Sequence, residues 1–206
     1  NLQSSIAGAG TFNFIDPLVQ RNLKVLDFSN NNFTGTIAEA LFALPSLQVL
    51  FAGSNCFSGT LPSNICSATT LVTLDLASLI CGSGCRRYIW AGTAFEGGFD
   101  SFVATNKMQG SLPPCVFELP HLQSLNANGN NLLGVLPTVI SPSLKNVSVS
   151  RNKLSGTISV PLATSANLVS LDLSHNHISG NLSAFESTSD NQFLTRKNMA
   201  LDLQIN

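Results

Sequence analysis

Charge is what this chain has least of. Ten lysines and arginines stand against 11 aspartates and glutamates in 206 residues, which is 10% charged with a net charge of −1; soluble domains carry about 25%. With so few cations there is no basic stripe for nucleic acid and no polybasic patch for a membrane surface, so neither is an expected partner. No apolar run reaches the roughly 18 residues that a bilayer-crossing helix needs, so this segment is expected to contain no span. Histidine is scarce as well, at three residues. His175 and His177 sit two apart, yet no carboxylate or third histidine has matching spacing, so no metal site and no cofactor are expected. Neither a nucleophile elbow nor a phosphate-binding glycine loop occurs. Asp27, Asp75 and Asp172 each follow a leucine in the same sequence context, and spaced that far apart they suit a solvated face better than one catalytic pocket. A non-enzymatic protein is expected.

What the chain does have is repetition. An asparagine is followed by an apolar residue two places on and a glycine four places on at Asn31-x-Phe33-x-Gly35, Asn55-x-Phe57-x-Gly59, Asn106-x-Met108-x-Gly110, Asn130-x-Leu132-x-Gly134, Asn152-x-Leu154-x-Gly156 and Asn176-x-Ile178-x-Gly180. The asparagines lie 24, 51, 24, 22 and 24 residues apart. A fixed period in the twenties is the mark of a solenoid, and the step of 51 reads as two periods, one of them degenerate. Ahead of each asparagine the residues alternate, as in Leu23-x-x-Leu26-x-Phe28 and Leu168-x-x-Leu171-x-Leu173, which predicts a short strand with one buried face. The asparagine falls where the chain bends, and its amide can both donate to and accept from backbone groups left over there. Pro62, Pro113 and Pro137 favour an extended exit from the glycine segment.

The pattern L-x-x-L-x-L-x-x-N-x-L-x-G-x-I-P, traced from residue 23 to about 185, resembles the plant-type leucine-rich-repeat family, as in receptor-like proteins and secreted repeat proteins. The resemblance implies a right-handed leucine-rich-repeat solenoid with a parallel β-sheet on the concave face. Short second strands and 3₁₀ or irregular turns would lie on the convex face. The whole of 1–206 is expected to be one solenoid segment. Residues 1–22 form a partial or N-terminal repeat, and 23–192 hold about seven repeats starting near 23, 47, 71, 98, 122, 144 and 168. Residues 193–206 open a further repeat. A chain that starts at Asn1 and stops inside Leu201-x-Leu203-x-x-Asn206 is expected to be a piece of a longer protein, and a membrane anchor elsewhere in that parent stays open.

The pattern breaks over residues 79–104. Leu79 replaces the asparagine, and Cys81-Gly82-Ser83-Gly84-Cys85-Arg86-Arg87-Tyr88-Ile89-Trp90 follows. One reading is a flank displaying Arg86, Arg87, Tyr88 and Trp90, residue types enriched at binding hot spots. The other is a degenerate repeat repaired by a disulfide, its aromatics covering the gap. Of the five cysteines, Cys56 and Cys81 hold nearly matching places in successive copies. Neighbouring strands are about 4.8 Å apart, so Cys56–Cys81 is the expected bridge; Cys85 pairing with Cys66 or Cys115 is the alternative. An odd count leaves one thiol free or paired outside the segment.

Glycosylation sequons begin at Asn32, Asn146 and Asn181, and with scarce charge and clustered cysteines they point to an extracellular or cell-surface setting. Asn146 is expected to face out of the concave sheet. The outward strand positions are small and nearly neutral, Phe51 being the large apolar exception. Asp27, Phe51, Asp75 and the Arg86–Trp90 stretch are the candidate partner-binding residues. Such a face suits a protein, peptide or carbohydrate ligand, and the expected function is extracellular recognition. A structural glycoprotein of a wall or coat, or an inhibitor of a secreted enzyme, are the alternatives.

Overall fold

The computed structural model describes residues 15–31, 33–78, 108–180 and 200–202. Each layer of the solenoid starts with a three-residue strand. The first layer is β1 (Val25–Asp27), β2 (Thr34–Gly35) and the one-turn helix α1 (Glu39–Phe42). The second is β3 (Val49–Phe51), β4 (Cys56–Phe57), β5 (Gly59–Thr60) and a 3₁₀ turn, Ser63–Ser67. β6 (Thr73–Asp75) opens the third, which β7 (Met108–Ser111) and a 3₁₀ turn at Pro114–Glu118 complete. Then come β8 (Ser124–Asn126) with β9 (Asn131–Val135), β10 (Asn146–Ser148) with β11 (Lys153–Gly156) and the helix α2 (Val160–Thr164), and β12 (Ser170–Asp172) with β13 (His177–Ile178). β14 (Ala200–Asp202) starts a further layer.

The layer-opening strands form one parallel sheet in the order β1-β3-β6-β8-β10-β12-β14, and β5-β7-β9-β11-β13 form a second. Alternation decides which face is which. The central residue of each described inner strand, Leu50, Leu74, Leu125, Val147 and Leu171, is fully or almost fully buried, and the residues on either side of it look outward. Burying each such side chain stabilises by roughly 1.5–3 kcal/mol, and the contacts run from layer to layer, so the stack is stable where one copy would not be.

The register corrects one expectation. β6 pairs directly with β8, Thr73 opposite Ser124 and Asp75 opposite Asn126, and β5 pairs directly with β7. No strand from the copy expected near 98 stands between them. The step of 51 residues is therefore one ordinary step of 24 carrying 27 extra residues, and the layers follow from starts near 23, 47, 71, 122, 144 and 168. The irregular stretch 79–104 itself lies outside the described residues.

The asparagines act as rungs. Asn152 Nδ2 donates to the carbonyls of Ala127, Val149 and Ser150 at 2.9–3.2 Å, while its Oδ1 accepts the Leu132 N–H at 3.0 Å. Asn55, Asn130, Asn152 and Asn176 each satisfy turn groups in their own layer and in the one before, which buried backbone requires. Asn130 does so across the interruption: Nδ2 donates to the Leu76 carbonyl at 3.0 Å and Oδ1 accepts the Met108 N–H at 3.2 Å. The glycine of the motif has two reasons to be there. Gly59 and Gly110 have φ of 75° and 78°, and a Cβ on either would sit 2.6 or 2.7 Å from the Thr36 or Thr60 methyl of the preceding layer.

Candidate functional site

Because the main sheet keeps strict register, its outward residues fall into ranks across the concave face. One rank runs Val25, Val49, Thr73, Ser124, Asn146, Ser170; the next runs Asp27, Phe51, Asp75, Asn126, Ser148, Asp172. The expected binding residues Asp27, Phe51 and Asp75 are thereby brought side by side on β1, β3 and β6. The ring of Phe51 lies between two carboxylate-bearing positions, roughly 4.8 Å from each strand to the next. Val25, 57% exposed, and Val49 extend the apolar surface beside it. The two valines were legible as outward positions, but only the register shows that they border Phe51.

The aspartates also have a local role. Asp27 Oδ1 accepts the Ser29 N–H at 2.9 Å and its hydroxyl at 2.7 Å, closing the turn that ends the strand, and these bonds hold its carboxyl below the ordinary range. Asp172 repeats the arrangement with Ser174 at 3.1 and 2.8 Å. Burial there works to raise its pKa, but hydrogen bonds from Ser174, Ser150 and Ser148 outweigh it, and the net direction is down. Asp75 differs. Burial pushes it up, the Ala77 N–H and Asn126 oppose that only in part, and the charge of Asp27 adds to the rise. The signal for this turn, Asp-x-Ser, was present in the sequence at 27–29 and 172–174.

The second half of the concave face is a hydrogen-bonded lattice. Asn128 Oδ1 accepts from the Ser150 N–H at 2.7 Å and the Ser150 hydroxyl at 3.0 Å, and Ser148 Oγ lies 2.9 Å from both Asn128 Oδ1 and Asp172 Oδ2. Asp202 has its backbone opposite Asp172. Asn146 is exposed in this half, and its carboxamide has no hydrogen-bond partner among the described residues.

Cys56 is disulfide-bonded; Cys81, its expected partner, lies outside the described residues. Cys66 is joined to Cys115, 49 residues away with Cα atoms 5.5 Å apart, so neither is left for Cys85, the alternative that the sequence allowed. This bridge ties the 3₁₀ turn of the second layer to that of the third. Arg86, Arg87, Tyr88, Trp90, Asn32 and Asn181 also lie outside the described residues. Among the described residues no three His, Cys, Asp or Glu side chains group as metal ligands, and no helix is long and apolar enough to cross a membrane.

A family model described as Leucine Rich Repeat matches residues 22–44 and 121–142, and a second Leucine Rich repeat model matches 164–181. Receptor-like protein 32 of Arabidopsis thaliana is 33% identical over 133 residues, covering 62% of this chain and 12% of the relative. The chain spans 12–17% of the length of such curated relatives. Among solved structures, the ectodomain of the Arabidopsis receptor kinase HAESA in complex with an N-terminally extended IDA peptide hormone superposes with a TM-score of 0.60. It is 26% identical, over 79% of this chain and 23% of that one. A plant ice-binding protein superposes with a TM-score of 0.67 at 26% identity, over 92% and 52%.

Proposed function

Since the chain belongs to the plant-type leucine-rich-repeat family, we propose that it is the ligand-recognition part of a receptor-like protein outside the cell, non-enzymatic, and that the first half of its concave face seats an extended peptide carrying a cationic side chain. A likeness that extends to both a hormone-bound ectodomain and an ice-binding protein leaves function to the site, because one fold hosts many.

The observation that carries the proposal is the rank Asp27–Phe51–Asp75. A guanidinium or ammonium laid over an aromatic ring gains roughly 0.5–1 kcal/mol at an exposed site. Flanking carboxylates add charge-assisted hydrogen bonds of about 1.5–3 kcal/mol. Asp27 uses one oxygen on its own turn, and the other has no hydrogen-bond partner among the described residues, so it can accept from a ligand without opening that turn. Val25 and Val49 supply apolar contact for the neighbouring ligand residues. An extended chain crossing the strands would advance about three residues between Asp27 and Asp75 at ~3.3 Å per residue.

Arg86, Arg87, Tyr88 and Trp90 are proposed as a second contact. What supports this is that the interrupted layer closes without them, through β6–β8 pairing and the Asn130 rung, so the solenoid does not account for their presence.

The test is a selection of random extended peptides on the folded chain, run beside a variant carrying Asp27→Asn and Asp75→Asn. Enrichment of peptides with Arg or Lys between apolar residues, lost in the variant, is the expected result. Peptides with no basic bias, or the same peptides from both proteins, would remove the seat.

A further inference from the structure

We infer that Asn146 carries an N-linked glycan, and that this glycan closes the second half of the concave face so that ligand is confined to the half formed by β1, β3 and β6.

Asn146 opens the sequon Asn146-Val147-Ser148, and β10, fifth of the seven strands of the concave sheet, presents it outward. Its neighbours in the rank are Ser124 and Ser170, and Thr73 follows Ser124. All are short, so a sugar attached at Nδ2 has room to leave the face. Asn146 is exposed, and its carboxamide has no bond among the described residues to give up.

The chemistry needs a glycan donor of the polyprenyl-diphosphate class. Nδ2 of Asn146 forms a bond to C1 of the first N-acetylglucosamine as the C1–O bond to the carrier breaks; Nδ2 loses one proton and the diphosphate leaves. Ser148 supplies the sequon hydroxyl. In the folded chain that hydroxyl lies within 2.9 Å of both Asn128 Oδ1 and Asp172 Oδ2, so transfer belongs before β10 joins the sheet.

Two features make the second half suited to sit beneath a glycan. Its surface is made of hydroxyls, amides and one carboxylate, which match sugar hydroxyls in kind. Those nearest the sequon, Asn128, Ser148, Ser150, Asp172 and Ser174, are already bonded to one another, so little there attracts a peptide. Among the described residues, the half with Val25, Val49 and Phe51 has no such lattice around its apolar side chains.

Occupancy is independent of the peptide seat; only the consequence for ligand rests on that reading. The test is glycopeptide mapping of the full chain secreted from plant cells, alongside Asn146→Gln and Ser148→Thr, followed by timed acylation of lysines. Asn146 should be glycosylated in the parent and in Ser148→Thr, and absent from the map of a still folded Asn146→Gln protein. Lys145, beside the glycan, should acylate several-fold more slowly in the parent than in Asn146→Gln, with Lys24 on the far layer unchanged. A folded, secreted chain with bare Asn146 overturns the site, and equal Lys145 rates overturn the shielding. A glycosylated chain indifferent to cationic peptides would sink the seat while leaving the glycan standing.

Discussion

The first half of the concave sheet, β1 to β6, presents apolar side chains and a carboxylate with an oxygen to offer. In the second half, β8 to β12, Asn128, Ser148, Ser150, Asp172 and Ser174 are bonded to one another. The backbone of the two halves follows one plan: strict register, a buried leucine or valine at the centre of each strand from β3 to β12, and buried asparagine rungs at Asn55, Asn130, Asn152 and Asn176. Repetition therefore supplies a platform, and the outward positions, free of the core's constraints, decide what each stretch of platform can hold. Position 51 is Phe where its counterpart in β10 is Ser148; position 49 is Val where its counterpart is Asn146.

The seam between the halves is the place to break this comparison with the largest effect. Asn130→Leu removes four hydrogen bonds and leaves backbone groups of Leu76, Ala127, Asn128 and Met108 without that partner. An unsatisfied buried group costs about 1–3 kcal/mol, so a loss of roughly 3–5 kcal/mol is expected in denaturant unfolding. Part of the chain before the seam should become labile first. A loss no greater than that of an exposed substitution would mean the halves are joined by other means.

Next comes the bridge that ties the second layer to the third, just before that seam. Cys66→Ser with Cys115→Ser is expected to lower stability by about 2–4 kcal/mol, the usual range for a disulfide, read as a drop in Tm. Deleting residues 79–105, so that Ser78 runs into Asn106, restores a step of 24. That protein should keep its circular-dichroism spectrum but melt lower than the parent by the contribution of one disulfide, about 2–4 kcal/mol, because the deletion removes both cysteines left to bond Cys56. If it does not fold, the extra residues contribute to the stack.

Binding separates the halves without touching stability. Phe51→Ala should weaken a selected cationic peptide by about 2 kcal/mol, roughly 30-fold, while Ser170→Ala in the second half leaves it unchanged. Equal losses from both would show a ligand lying along the whole sheet.

The smallest effect, and the sharpest contrast, is in pH. The Asp172 pKa is lowered in the folded state, so its contribution is present above the ordinary carboxylate pKa and is lost as pH falls through the folded value. Asp75 is raised; its ionisation works against folding at neutral pH, and stability returns as pH falls through its folded value. Asp172→Asn should destabilise at pH 7 and become neutral in acid, whereas Asp75→Asn should be neutral or stabilising at pH 7. Each change is on the order of 0.5 kcal/mol, as for most surface substitutions. Matching pH profiles of the two variants would contradict the difference in their surroundings.

Much of this was legible before any coordinates. The period, the alternation ahead of each asparagine, the rung role of that amide and the need for glycine are local properties, written within about 24 residues. So was the likeness of Asp27, Asp75 and Asp172, because each occupies the same place in its copy. What only the tertiary structure decided is which layers touch. A period measures distance along the chain, not through space, and closing a longer excursion costs little more than closing a short one, since loop entropy grows only with the logarithm of length. Hence 51 residues could be two layers or one, and β6 against β8 settles it as one. The same long-range contact decides that Cys66 meets Cys115, that Phe51 stands between two aspartates, and that Asn128, Ser148 and Asp172 occupy each other's hydrogen-bonding groups. Those facts depend on residues far apart in sequence reaching one register, which repetition permits and only packing selects.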